Sequence, residues 1–168
     1  MINIYTKRLD LITILKNIMD KNYYKKKHGF FLEDLEVGQE ASIEKKISEK
    51  DIMKFAELTG DDNPVHVDEE FAKNSVFKKR IAHGFLSGSL ISTLIATKLP
   101  GPGSIYLNQS MKFLAPVFIN DVVKAKVSIL EKLIEKKKIL LKTECFILNK
   151  KIITGSAEIM VSSRLDIK

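Results

Sequence analysis

The segment of residues 84–99 lacks a polar face. It contains one charged residue, Lys98, is otherwise apolar, small or hydroxyl-bearing, and is followed by Pro100. A surface helix carries polar residues along one side, so this pattern predicts a buried central helix from about residue 83 to residue 99. At ~1.5 Å per residue it spans roughly 24 Å, which is short of the ~30 Å hydrocarbon layer of a membrane. No other segment approaches that length, so no integral membrane segment is expected.

The chain after residue 103 alternates between apolar and polar positions. Strand-like runs separated by short turns cover residues 105–113, 123–129, 139–148 and 152–161. Consecutive strands with short links pair antiparallel. A sheet that curls around the apolar helix would cover its sides, so the pattern predicts an α+β fold with one curved antiparallel sheet wrapped around a long central helix.

Residues 39–77 precede this helix and sheet. Residues 39–48 have the pattern of a short strand. Ser48 followed by Asp51 resembles a capping box, which predicts a helix that begins there and ends at Gly60. We expect a loop at residues 61–68 and a short helical turn at residues 71–77.

The first 28 residues differ in composition from the rest. They hold seven basic and two acidic residues, which gives +5 of the net charge of +7, and their apolar residues recur at helical spacing. We place a domain boundary near Phe30. Residues 1–29 are then a basic amphipathic extension, and residues 30–168 are the folded domain. We expect the extension to pack on the body or on a partner, the alternatives being a loose tail or a helix at a membrane surface. The extension lacks the uninterrupted apolar stretch of a secretory signal.

Charge and cysteine content exclude several classes of protein. The residues after the extension are nearly neutral in sum, whereas a nucleic-acid-binding domain normally carries a basic face, so no nucleic-acid partner is expected. Cys145 is the single cysteine. It allows no intramolecular disulfide, which favours the reducing cytoplasm, and its apolar surroundings in the sequence indicate an inert buried thiol.

Candidate chemistry concentrates in the segment GDDNPVHVD at residues 60–68. Asp61 and His66 lie five residues apart across Asn63 and Pro64, and a turn there could bring the carboxylate and the imidazole to one pocket. Such a pair can hold one water or divide the removal and delivery of a proton. The alternative reading of the spacing is structural, with an aspartate that caps a turn and a histidine satisfied within a loop.

Three segments in order resemble the MaoC-like family of R-specific enoyl-CoA hydratases: DDNPVH at residues 61–66, AHGFLSGSL at 82–90 and PGPGSIYLNQSMKFLAPVFINDVV at 100–123. The resemblance runs from about Phe30 to Ser163. It implies the hotdog fold, which agrees with the helix and sheet pattern, and a homodimer formed by two sheets edge to edge. It also implies reversible, cofactor-free hydration of a trans-2-enoyl thioester of coenzyme A or acyl carrier protein to an (R)-3-hydroxyacyl thioester.

The resemblance also implies the site residues. The family's catalytic aspartate and histidine fall on Asp61 and His66, with Asn63 supporting them inside the motif. The backbone N–H that stabilises the oxyanion falls on Gly84, and a supporting serine falls on Ser92. A helix start suits an oxyanion site because its first N–H groups lack partners within the helix. Which of the aspartate and the histidine is acid and which is base stays open.

Other polar residues have less specific interpretations. Lys78, Lys79 and Arg80 either contact the phosphates of coenzyme A or form an ordinary solvated charge run. The spacing of the three histidines does not indicate a metal site, so no metal or cofactor is expected. We interpret three further residues as structural: His28, His83 and Asp68.

Two other functions of a hotdog domain stay open. A thioesterase would use the carboxylate to direct water onto the thioester carbonyl, and the pairing of Asp61 with His66 argues against it. A non-enzymatic acyl-thioester sensor would carry a DNA-binding module, for which the extension is too short.

Overall fold

Five strands form one antiparallel sheet in the computed structural model of the chain, which describes residues 23–166. They are β1 (Glu40–Lys46), β2 (Ile105–Phe113), β3 (Val122–Leu133), β4 (Lys138–Ile147) and β5 (Lys150–Met160). Their order is β1-β3-β4-β5-β2, so β1 and β2 are the edges. The predicted sheet is confirmed. Strand β3 extends further than predicted, because a register shift between Ile129 and Glu131 lets its pairing with β4 continue to Leu133.

The helices are α1 (Glu49–Thr59), α2 (Pro64–Val67), α3 (Glu69–Asn74) and α4 (Gly84–Thr97), and short 3-10 helices cover Leu32–Asp34, Ile134–Lys136 and Arg164–Asp166. Helix α4 packs against the sheet, where Leu90, Ile91 and Leu94 share one buried core with Val127 and Leu141. The predicted central helix and the α+β class are therefore confirmed. The predicted burial of this helix on all sides is wrong for the single chain, because Phe85, Ser89 and Ser92 lie on an exposed side of α4. Within the described residues no helix is both long and apolar enough to cross a membrane.

Helix α1 begins and ends where the sequence predicts. The Ser48 hydroxyl accepts from the Asp51 N–H at 3.2 Å, and the Asp51 carboxylate accepts from the Ser48 N–H at 2.9 Å and from its hydroxyl at 2.7 Å. The hydrogen bonds from Ser48 lower the pKa of Asp51 to about 2. Gly60 follows the helix in the left-handed region, with φ 76°. This glycine turns the chain into the segment that carries Asp61.

Ser48→Ala is expected to lower the free energy of unfolding by about 1 kcal/mol at neutral pH, because it removes the cap of α1. The pKa of Asp51 is lower in the folded state than its ordinary value of 3.8. The part of the stabilisation that depends on the Asp51 charge is therefore fully present above pH 3.8 and is lost as the pH falls toward about 2. Urea unfolding at neutral and at acidic pH measures the free energy of unfolding of Ser48→Ala and of the unaltered chain. The difference between the two proteins should become smaller in acid. Ser42→Ala, at an exposed position of β1, is the control.

Two short helices, α2 and α3, follow α1. The sequence predicted a loop at residues 61–68 and a single helical turn at residues 71–77 in their place. Helix α2 forms because the Asn63 side chain accepts from the Val65 N–H at 3.3 Å and Pro64 occupies the first helical position. Helix α3 starts earlier than the predicted turn, because the Asp68 carboxylate accepts from the Phe71 N–H at 3.0 Å. The loop prediction for residues 61–68 is therefore wrong for its second half.

The boundary placed near Phe30 falls inside packed structure. The His28 ring stacks on Phe31 with centroids 4.1 Å apart, and the N–H groups of Gly29 and Phe30 donate to the carbonyls of Pro102 and Pro100 at 2.8 Å. Residues 23–27 are helical. The predictions for residues 1–22 lie outside the described residues.

Cys145 is buried on β4, where its Sγ lies 3.8 Å from the Ser87 carbonyl. Burial raises the pKa of this thiol to about 12. A thiol that stays protonated is a poor nucleophile, in agreement with the predicted inert cysteine.

Candidate active site

A cavity of about 320 Å³ opens beside the start of α4. Its wall is formed by α2, the residues before and within the first turn of α4, and the segment that follows β2. Most of the lining is apolar: His66, Phe77, Ile81, Ala82, Gly84, Ser87, Phe113, Leu114, Ala115, Pro116, Val117 and Ile153. An apolar cavity with few polar groups suits an acyl chain.

Asp61 lies on the exposed connection between α1 and α2. Its N–H donates to the Thr59 hydroxyl at 3.3 Å, and its carboxylate accepts from the Asn63 N–H at 3.4 Å. Asn63 in turn caps α2. Asn63, the supporting residue predicted within the motif, therefore stabilises the turn and the helix start that lie between Asp61 and His66.

His66 lies on α2 and lines the cavity. Its Nδ1 lies 2.9 Å from the Ile81 carbonyl oxygen. A carbonyl only accepts, so Nδ1 carries the hydrogen, and in the neutral ring Nε2 is left as a proton acceptor. The imidazole is thereby oriented for acid-base work.

The structure brings Asp61 and His66 together and adds a third group, His83. A carboxylate oxygen of Asp61 and one nitrogen of each ring lie within 4.8 Å of one another. The two histidine rings are tilted against each other, with centroids 3.9 Å apart and an angle of 33° between their planes. A separation of up to 4.8 Å lets one water bridge the Asp61 carboxylate and the His66 ring.

Gly84 begins α4 and lines the cavity. The side chain of His83, which precedes the helix, makes no capping hydrogen bond. Among the hydrogen bonds of the described residues none involves the N–H of Gly84 or of Phe85, so these two groups are available to an oxygen in the cavity. A Cβ added at Gly84 would lie 2.8 Å from the Phe113 ring. A side chain at residue 84 would therefore have to displace the Phe113 ring from the cavity wall.

Ser92, the predicted supporting serine, does not line the cavity. Ser92 is exposed on α4, whereas Ser87, one turn after Gly84, lines the cavity and is buried. Five residues turn a helix by about 500°, so the two serines lie roughly 140° apart around α4. The supporting role of Ser92 stays a prediction.

The three cations after α3 differ in their surroundings. Lys78 and Lys79 are exposed and follow Phe77, which lines the cavity. Arg80 is instead bound by Glu49 and by Glu69, the latter at 3.0 Å, and these carboxylates raise its pKa. The Arg80 guanidinium is thus paired with carboxylates of the chain, and the contact of these three cations with the phosphates of coenzyme A stays a prediction.

The chain is similar to known hydratases and dehydratases over most of its length. It is 50% identical over 134 residues to an (R)-specific enoyl-CoA hydratase of Rhodospirillum rubrum, covering 80% of this chain and 93% of the relative. It is 41% identical over 134 residues to a 3-hydroxybutyryl-CoA dehydratase of Methylorubrum extorquens, covering 80% and 85%.

A solved structure, the R-hydratase PhaJ1 from Pseudomonas aeruginosa in its unliganded form, superposes with a TM-score of 0.77. It is 45% identical and covers 82% of this chain and 88% of its own. This similarity confirms the predicted hotdog fold. The family model described as "MaoC like domain" matches residues 32–150. The chain therefore belongs to the MaoC-like family.

Proposed function

We propose that this protein is an (R)-specific enoyl-CoA hydratase, a lyase that adds water reversibly to a trans-2-enoyl thioester. The observation that carries the proposal is the placement of an Asp61 carboxylate oxygen within 4.8 Å of a His66 ring nitrogen, since His66 and Gly84 line the same apolar cavity. Two relatives named for hydration or for the reverse dehydration support it.

The reaction needs only groups that the chain and water supply. The Gly84 N–H polarises the thioester carbonyl and stabilises the enolate-like charge that develops there. Asp61 and His66 hold one water, take a proton from it as its oxygen bonds to C3, and deliver a proton to C2, which balances the addition without a cofactor. The bare Nε2 of neutral His66 is a suitable acceptor for one of these proton transfers.

The remaining substrate groups have places of matching chemistry. The acyl chain lies in the apolar cavity, against Phe113 and Ile153. Lys78 and Lys79 are exposed and directly follow Phe77 of the cavity wall, and we propose that they meet the phosphates of coenzyme A. We propose the same site for an acyl carrier protein thioester, and the lone reduced cysteine favours a cytoplasmic location.

The protein is proposed to act as a homodimer. Strand β2 pairs with β5 alone, and Ile105, Leu107 and Phe113 on it are 56%, 42% and 47% exposed. An apolar edge strand is a template for pairing with another chain, and a second copy would cover it. A monomer by light scattering at micromolar concentration would contradict this.

A product assay tests the reaction. The protein is incubated with crotonyl-CoA and with a longer enoyl-CoA, and products are separated by chromatography with chiral analysis of the hydroxyacyl group. We expect (R)-3-hydroxyacyl-CoA with the thioester intact. Release of free CoA without a hydroxyacyl product would instead indicate a thioesterase and would overturn the proposal.

A chain that begins at Gly29 is expected to hydrate crotonyl-CoA at a similar rate, because the segment before it precedes the family match. The same truncation removes +5 of net charge. If an acidic acyl carrier protein is the physiological carrier, kcat/KM for a carrier-bound crotonyl group should fall and lose its dependence on salt. Equal effects on both substrates would exclude carrier steering by residues 1–28.

A further inference from the structure

His83 connects the parts of the candidate site. Its ring is 2% exposed and lies between Phe55 of α1, with centroids 5.0 Å apart, and His66 of α2, at 3.9 Å. Its backbone immediately precedes Gly84, and its carbonyl accepts from the Leu86 N–H at 3.1 Å. His83 thus contacts His66, adjoins the start of α4 and, through a hydrogen bond, contacts the segment that carries Asp61.

The contact with the aspartate segment is a hydrogen bond of fixed direction. His83 Nε2 lies 2.9 Å from the Asp61 carbonyl oxygen. Because a carbonyl only accepts, Nε2 carries the hydrogen and donates it. His83 Nδ1 is buried without a hydrogen-bond partner among the described residues. No acceptor there favours moving the ring hydrogen from Nε2 to Nδ1.

The segment of residues 60–63 has little else to hold it. Its residues are exposed, and its other hydrogen bonds join it to neighbours within residues 56–66, such as Gly60 to Ala56 and Asp61 to Thr59. Among the hydrogen bonds of the described residues, the one from His83 alone ties this segment to a distant part of the fold. The position of the Asp61 carboxylate relative to His66 and Gly84 therefore depends on it.

We infer that His83 is a positioning residue, whose Nε2–H holds the Asp61 backbone so that the carboxylate stays aligned with His66 and the Gly84 N–H. This inference rests on the proposed function. A displacement of about 1 Å in a catalytic group can cost about 100-fold in rate. The loss should fall on kcat, because His83 does not itself line the substrate cavity.

Two substitutions separate positioning from packing. His83→Phe keeps an aromatic ring between Phe55 and His66 and removes the donor, whereas His83→Gln removes the ring and keeps an amide donor near the Nε2 position. Positioning predicts that His83→Phe lowers kcat by about 10- to 100-fold with KM within about threefold, and that His83→Gln retains more activity. Packing alone predicts the opposite order.

Hydrogen exchange provides the second measurement. In His83→Phe the amides of residues 60–63 should exchange faster while those of α4 are unchanged, and His83→Gln should restore part of their protection. If His83→Phe is insoluble, His83→Leu serves as the variant without a donor. Activity of the donor-free variant equal to or above that of His83→Gln would overturn the inference. Hydration by the unaltered protein tests the proposed function separately.

Discussion

Asp61→Asn and His66→Gln are each expected to lower turnover of an enoyl-CoA by about 100-fold or more, because each removes one member of a proton-transfer unit. The two groups act on the same water, so the double variant should lose far less than the product of the single losses. Steady-state hydration of crotonyl-CoA measures all three variants. Both replacements preserve side-chain size, and circular dichroism checks that the variants are folded.

Asp62 and His28 offer controls of matched residue type. Asp62 is an exposed carboxylate next to Asp61, and Asp62→Asn should leave turnover within about twofold, since the family resemblance places it at a variable position of the motif. His28 packs against Phe31 rather than in the cavity, so His28→Gln should also remain active. Folded Asp61 or His66 variants with near-native turnover would refute the assignment.

Gly155→Val is expected to cause the largest loss of stability. Gly155 lies on β5 between β4 and β2, opposite Thr143 and Met111. A Cβ at this position would lie 1.8 Å from the Ser110 carbonyl oxygen, a distance that forces the backbone of β2 away from β5. Overpacking of this kind typically costs 1–3 kcal/mol, and displacement of backbone places this variant at about 3 kcal/mol or beyond.

Urea unfolding of Gly155→Val against the unaltered chain measures the loss. Thr154→Val, one residue away on the same strand and only partly buried, introduces the same side chain. Threonine and valine both favour strands, so the free energy of unfolding should change by less than about 1 kcal/mol. Because β2 carries the exposed apolar edge, Gly155→Val should also weaken the proposed dimer. A Gly155→Val protein as stable as Thr154→Val would show that β2 and β5 tolerate the wider spacing.

Local chemistry explains why much of the fold follows from the sequence. The capping box of Ser48 and Asp51 and the left-handed Gly60 act within a few residues, so both ends of α1 were predictable. The absence of charge along residues 84–97 indicated a helix packed against the sheet, although the structure buries only one side of α4. Helix α2 was missed because the Asn63 cap that forms it lies inside a motif with the composition of a turn.

The order of three motifs along the chain determined the family and the candidate pair of Asp61 and His66. Contacts between distant segments were decided only by the tertiary structure. Arg80 is paired with Glu49, 31 residues away. Ser87 rather than Ser92 lines the cavity, because packing against the sheet decides which side of α4 faces the cavity. His83 donates to the Asp61 carbonyl across 22 residues. A hydrogen bond to a backbone carbonyl requires no particular side chain at its acceptor, and so it leaves no pattern in the sequence.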